Sequence, residues 1–175
     1  FDQVTAWADS GGRDRALMYD SYGDDSFIAS PNAAMMKGNQ FANDARHFDS
    51  VYAFAGKGHD VARLDGSSGD ETLLINDTDV RLFGSGFHNR ARSFDEVHVN
   101  ARQSAASGRD RAMLYDTALD DHFQAQGNRA MLSNTTCAVW MYDFDYVRAT
   151  ASQGGSDTAE IDAVDYVLEL LGDWE

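Results

Sequence analysis

The residues of this chain best equipped for chemistry are carboxylates placed in turns. Asp14, Asp60, Asp110 and Asp157 share one register, each two residues after a glycine. Asp24, Asp70 and Asp120 share a second, each followed directly by another acid (Asp25, Glu71, Asp121). Calcium takes roughly six to eight oxygen ligands, many of them Asp side chains and turn carbonyls. These seven aspartates are therefore candidate Ca2+ ligands; the other role open to them is capping the backbone of their own turns. Other chemistries lack their residues. His47, His59, His88, His98 and His122 show neither His-x-x-x-His nor His-Glu-x-x-His spacing, which argues against zinc. No Gly-x-Ser-x-Gly elbow, phosphate loop or dinucleotide fingerprint occurs. No residue is assigned a catalytic role, and the chain reads as a non-enzyme.

The acidic turns recur because the whole chain recurs. Phe-Asp-x-Val stands at Phe1, Phe48, Phe94 and Phe144, at intervals of 47, 46 and 50 residues. Each copy continues with Gly-x-Asp-x-Ala-x-aliphatic, and the first three then add an acidic turn and a further strand, as in Gly12–Met18 followed by Phe27-Ile28-Ala29. A period of this size means a structural unit stacked on its own copies. Within each start the small apolar residues alternate: Val4, Ala6; Val51, Ala53; Val97, Val99; Val147, Ala149. Alternation places them on one face of a strand.

The expected fold is all-β, a parallel β-helix (β-solenoid) over residues 1–163 with about two coils per repeat. Phe27-x-Ala29 precedes Val51-x-Ala53 by 24 residues, which predicts coils of half a repeat. Asn43 and Asn89 are expected in a turn ladder. Val51, Ala53, Val97 and Val147 should point inward, and Gln3, Tyr52, His98 and Arg148 outward. A β-sandwich or barrel of the same strands would explain the alternation but not the matched turns.

The formal charge of −15, from 14 basic and 29 acidic residues, argues against nucleic acid as a partner. It suits a salty medium or cation binding. Cys137 is the sole cysteine; it stands where Phe41 and Phe87 stand in other copies, so a buried thiol is expected. No apolar run approaches the ~20 residues of a membrane span. Phe1 is not an initiator methionine, so the chain reads as a processed product or a fragment.

The ends depart from the pattern. Ile161, Val164, Leu168 and Leu171 fall at helical spacing, predicting a short capping helix within a C-terminal cap of residues 164–175. Phe1 and Val4 open directly on a repeat, leaving a strand edge for another copy, or for preceding repeats of a larger precursor, to cover. The third copy breaks its pattern at Cys137, where Trp140 and Tyr142 offer an aromatic surface. Phe1, Val4, Trp140, Tyr142 and Trp174 are the expected interaction residues.

Gly12–Ser21, Gly108–Thr117 and the four Phe-Asp-x-Val starts make the chain similar to the C-terminal repeat regions of large secreted bacterial proteins. That resemblance implies an extracellular or cell-surface β-solenoid of structural or adhesive type. The Gly-x-Asp-x-Ala and acidic-turn segments also resemble the glycine-aspartate nonapeptides of RTX toxins and secreted proteases, although the nine-residue period and Gly-Gly-x-Gly are absent. This second resemblance implies calcium between turns. The leading functional expectation is a non-catalytic extracellular structural or adhesive protein that assembles head to tail into filaments. The alternatives are a polysaccharide-binding or polysaccharide-cleaving module, suggested by the in-register pairs Arg13/Arg109, Arg15/Arg111 and Arg46/Arg92, and a calcium-stabilised secretion or display domain.

Overall fold

The computed structural model describes residues 2–101 and 108–175; Phe1 lies outside them. All regular structure in the described residues is β, and each repeat is built to one plan. An opening strand is followed by a crossing strand and then a three-stranded antiparallel meander. Repeat one holds β1 (Gln3–Trp7), β2 (Arg15–Tyr19), β3 (Ser26–Ser30), β4 (Ala33–Lys37) and β5 (Ala42–Arg46). Repeat two holds β6 (Ser50–Phe54), β7 (Val61–Asp65), β8 (Thr72–Asn76), β9 (Asp79–Gly84) and β10 (Phe87–Arg92). Repeat three holds β11 (Glu96–Asn100), β12 (Arg111–Tyr115), β13 (His122–Gly127), β14 (Arg129–Ser133) and β15 (Ala138–Tyr142). The fourth keeps β16 (Tyr146–Ala151), β17 (Thr158–Val164) and β18 (Val167–Gly172).

These strands form two sheets. The first runs β1-β5-β4-β3-β7-β11-β15-β14-β13-β17 and the second β18-β16-β12-β8-β9-β10-β6-β2. The opening strand and meander of a repeat share one sheet, and its crossing strand lies in the other. The next repeat reverses the assignment, so successive repeats are related by a half-turn about the stack. From β1 to β11 the first sheet advances five strands, as the second does from β6 to β16. Two repeats therefore advance the stack by about 24 Å.

All pairing between repeats is parallel, and antiparallel pairing is confined to the meanders. The solenoid is thus as expected, but its rungs are not spaced by half a repeat. Ala16 pairs with Val51, Ala62 with Val97 and Ala112 with Val147, each 35 residues apart. Phe27 pairs with Ala62, while Val51 lies in the opposite sheet. The 24-residue offset relates two strands that face each other across the core. Asn43 and Asn89 likewise sit within strands, β5 and β10, rather than in a turn ladder. Asn89 is buried, and its amide donates to the Ser30 carbonyl at 3.0 Å.

Small residues make the interior narrow. Val51, Ala53, Val97 and Val147 are buried, and Gln3, Tyr52, His98 and Arg148 alternate outward. The Phe-Asp motif closes each junction. Asp49, Asp95 and Asp145 accept the N–H of Asp14, Asp60 and Asp110 at 2.7, 2.7 and 2.8 Å, while Phe94 and Phe144 are buried. The residues before the last three motifs, His47, Ser93 and Asp143, have φ of 59°, 63° and 62°. Each donates its N–H to the meander turn it passes, at Asn32, Thr78 or Asn128.

The expected C-terminal helix is absent. Ile161 and Val164 lie in β17, and Leu168 and Leu171 in β18. The helical spacing is a coincidence across two strands: a register shift puts an extra residue between Ile161 and Val164 in β17, and Leu168 and Leu171, in register with Val147 and Thr150, lie on opposite faces of β18. After β18, Trp174 and Glu175 return to the register of the Phe-Asp motif. The Trp174 ring lies 5.9 Å from Phe123, as Phe94 lies 6.0 Å from Phe27. Glu175 N–H donates to Asp157 O, as Asp95 N–H donates to Asp60 O.

Candidate metal centres at the acidic turns

Each of the last three Gly-x-Asp segments passes so close to the acidic turn of the preceding repeat that its glycine is obligatory. A Cβ on Gly58, Gly108 or Gly155 would lie 2.4, 1.9 or 2.1 Å from the backbone oxygen of Gly23, Gly69 or Leu119. This approach brings the Gly-x-Asp carboxylate against the acidic pair, and the two acids of the pair then diverge in role. The first acid caps backbone: Asp24, Asp70 and Asp120 accept the N–H of His59, Arg109 and Ser156, each at 2.8 Å. The second acid turns inward. Asp25, Glu71 and Asp121 are 4%, 1% and 1% exposed. Their N–H groups donate to Asp60, Asp110 and Asp157 at 2.9, 2.8 and 2.9 Å.

At the first turn three carboxylates converge. Asp20, Asp25 and Asp60 each offer an oxygen within 4.8 Å of the other two, and two ligands on opposite sides of a calcium ion stand about that far apart. Asp25 Oδ2 is satisfied by Ser21 N–H and Oγ at 2.7 and 2.8 Å, and Asp60 Oδ1 by Asp25 N–H. Asp25 Oδ1 and Asp60 Oδ2 are buried and accept nothing. Burial raises the pKa of Asp60, with the charges of Asp20, Asp25 and Asp95 adding to it, and burial with Asp25 nearby raises that of Asp20. Leaving a buried carboxylate oxygen without a partner costs a few kcal/mol. A divalent cation would meet both oxygens and the excess negative charge.

The other two turns are variations. In the second, Gly66 stands where the first has Asp20, and the longer Glu71 replaces Asp25. A Cβ on Gly66 would lie 2.1 Å from the Ala101 carbonyl oxygen and 3.1 Å from Glu71 Oε2, so the backbone excludes an aspartate here and the longer acid reaches toward the space it would use. Glu71 Oε2 is again buried without a partner, and burial raises its pKa. Its other oxygen receives the Ser67 hydroxyl. In the third turn Asp116, Asp121 and Asp157 occupy the same three positions, but among the described residues only the carboxylates of the first turn converge within 4.8 Å. Asp121 Oδ2 takes Thr117 N–H and Oγ1, and Asp116 Oδ1 is the buried oxygen without a partner. Burial raises the pKa of Asp157, and Asp121, Asp116 and Asp120 add to it.

Of the seven predicted ligands, Asp60, Asp110 and Asp157 face these centres. Asp14 is placed at the first junction, where its N–H is capped by Asp49, and Asp24, Asp70 and Asp120 act as backbone caps. Asp20 and Asp116, which share a register after Tyr19 and Tyr115, were not among the predicted ligands; only the fold of the turn returns them to the acidic pair. The predicted interaction residues do not converge. Val4 is exposed on the edge strand β1, while Trp140 and Tyr142 lie half-buried on the outer face of the first sheet, Tyr142 stacked 6.3 Å from His98. Trp174 packs against the core. Cys137 is buried, which pushes its thiol up to about 12 and leaves it inert. Searches of family models, curated proteins and solved structures found no match to this chain.

Proposed function

We propose that this chain is a non-catalytic, extracellular structural repeat module whose stacked turns bind calcium. The observation that carries the reading is the buried carboxylate oxygen without a partner at each of the three acidic turns. An RTX-like role for calcium, suggested by the glycine-aspartate pattern, fits the same turns. Melting the chain with Ca2+ and with a chelator tests it. Calcium should raise the melting temperature by several degrees, and superimposable curves would overturn the proposal.

The module also has the edges for end-to-end stacking. β1 and β2 form the edge at one end, and β17 and β18 at the other. Four half-turns bring the second edge to the same orientation as the first. Apolar side chains stand exposed at both, including Val4 and Leu17 on one and Ile161 and Val167 on the other. Filaments in electron micrographs of concentrated protein are expected. A chain that sediments as a monomer at every concentration would refute this stacking without touching the calcium reading.

A further inference from the structure

The excess negative charge is not spread evenly. Six arginines point outward from the second sheet: Arg15, Arg81, Arg90, Arg92, Arg111 and Arg148. The outward carboxylates among the described strand residues of that sheet are Asp79 and Glu169. The outer face of the first sheet instead carries four basic residues (Lys37, Arg46, Arg63, Arg129) against five acidic ones. A protein of net charge −15 thus presents one basic face.

That face is also aromatic. Tyr19 and Phe54 stack at 5.1 Å with planes 16° apart. The Arg15 guanidinium lies 5.0 Å from the Tyr52 ring, and Arg90 lies 5.7 Å from Tyr52 and 5.9 Å from Phe54. Asp79 binds both Arg81 and Arg90, at 3.1 Å and 2.6 Å respectively, which fixes the two guanidiniums and leaves a net positive charge among the three. The surroundings of His88 are positive too: burial lowers its pKa, and Arg81 and Arg90 lower it further. Farther along, a shallow hollow is lined by Arg109, Arg111, Met113, Tyr146 and Arg148, with Asp110 and Asp145 from the turns.

We infer that the outer face of the second sheet binds an acidic polysaccharide. Exposed rings stack on the apolar faces of sugars, and guanidiniums pair with uronate or sulfate groups in bidentate fashion. The strands run across the stack, so the arginines repeat along its axis, as a linear polyanion requires. The acidic turns at the strand ends border the face and disfavour a stiff, densely charged duplex, whereas a glycan bears about one charge per sugar or per pair. This inference goes beyond the structural reading and names a partner for it.

The test measures binding of the full chain to polygalacturonate, heparin, neutral dextran and duplex DNA, with Ca2+ and with chelator. Both acidic glycans should bind, more weakly as salt rises, and dextran should not. Arg92→Ser, Arg111→Ser and Arg148→Ser combined should weaken binding at least about tenfold. Arg46→Ser, Arg63→Ser and Arg129→Ser combined, on the other sheet, should leave it unchanged. Equal losses in the two triple variants would overturn the inference, as would tighter binding to DNA. Binding that requires Ca2+ and survives the first triple variant would also overturn it, because the polymer would then sit on the acidic turns. Loss of calcium stabilisation with the glycan affinity intact would sink only the metal reading.

Discussion

The first and third acidic turns share three aspartates but differ in what faces them from the meander. Opposite the first stands Gly38, where an added Cβ would lie 2.0 Å from Asp25 Oδ1 and 2.4 Å from Phe41 Cε1. Opposite the third stands Asn134. Its amide donates to Asp121 Oδ1 at 2.9 Å, and its Oδ1 accepts from the N–H groups of Thr136 and Cys137 at 2.9 and 3.2 Å. The second turn follows the first, with Gly84 a prospective 2.8 Å from Phe87 Cε1. Glycine thus goes with phenylalanine and asparagine with cysteine, because the ring and the amide claim the same space. The irregular third copy is a coupled exchange in which a side-chain amide satisfies one carboxylate oxygen that the first copy leaves open.

The comparison can be broken most forcefully at Gly38. Gly38→Asn alone should overpack against Phe41 and cost ~3 kcal/mol, measured by urea unfolding. Adding Phe41→Cys should restore most of that loss and weaken calcium binding at the first turn. If the double variant is as unstable as the single one, the exchange is not coupled. Next in size is Asn134→Ala, which strands Asp121 Oδ1 and the turn N–H groups and should cost ~2 kcal/mol; calcium should recover part of it.

Asp60→Asn keeps the acceptor for Asp25 N–H but removes one charge from the first turn. In chelator the variant should be at least as stable as the parent, and it should gain less from calcium. A variant that gains as much as the parent would remove Asp60 from the ligand set.

The smallest effect expected is a pH dependence. Asp20, Asp60, Glu71 and Asp157 have folded pKa values above their ordinary ones, so at neutral pH and without cation their ionised forms oppose folding. That opposition is relieved as pH falls through the folded values towards the unfolded ones near 3.8 and 4.5. Asp79 behaves oppositely. Burial pulls it up, but the hydrogen bonds and charges of Arg81 and Arg90 outweigh that and hold it below 3.8, so its contribution is lost only at still lower pH. In chelator the melting temperature should rise slightly from neutral to mildly acidic pH. With calcium it should fall, as protons displace the ion.

Much of this was legible in the sequence for one reason: alternation and repetition are local. Val51, Ala53 and the Gly-x-Asp segments announce strands, core and turns by their spacing alone. The rung spacing was not legible, because two strands facing each other across a core show the same pattern as two strands stacked side by side. The missing helix illustrates the same ambiguity. For the acidic turns, the shared register of Asp60, Asp110 and Asp157 was visible, but the inward role of Asp25 over Asp24 depends on a single peptide's direction. The part played by Gly66 as the partner of a longer acid appears only when both residues are seen to fill one space.

The alternation of repeats between sheets bears on how such a chain can lengthen by gene duplication. Copying a single unit would rotate everything downstream by half a revolution and transfer the arginine-bearing surface to the far side of the rod. Copying units in pairs would preserve a continuous stripe. Any surface property that must run along one side of the rod therefore favours growth in even steps.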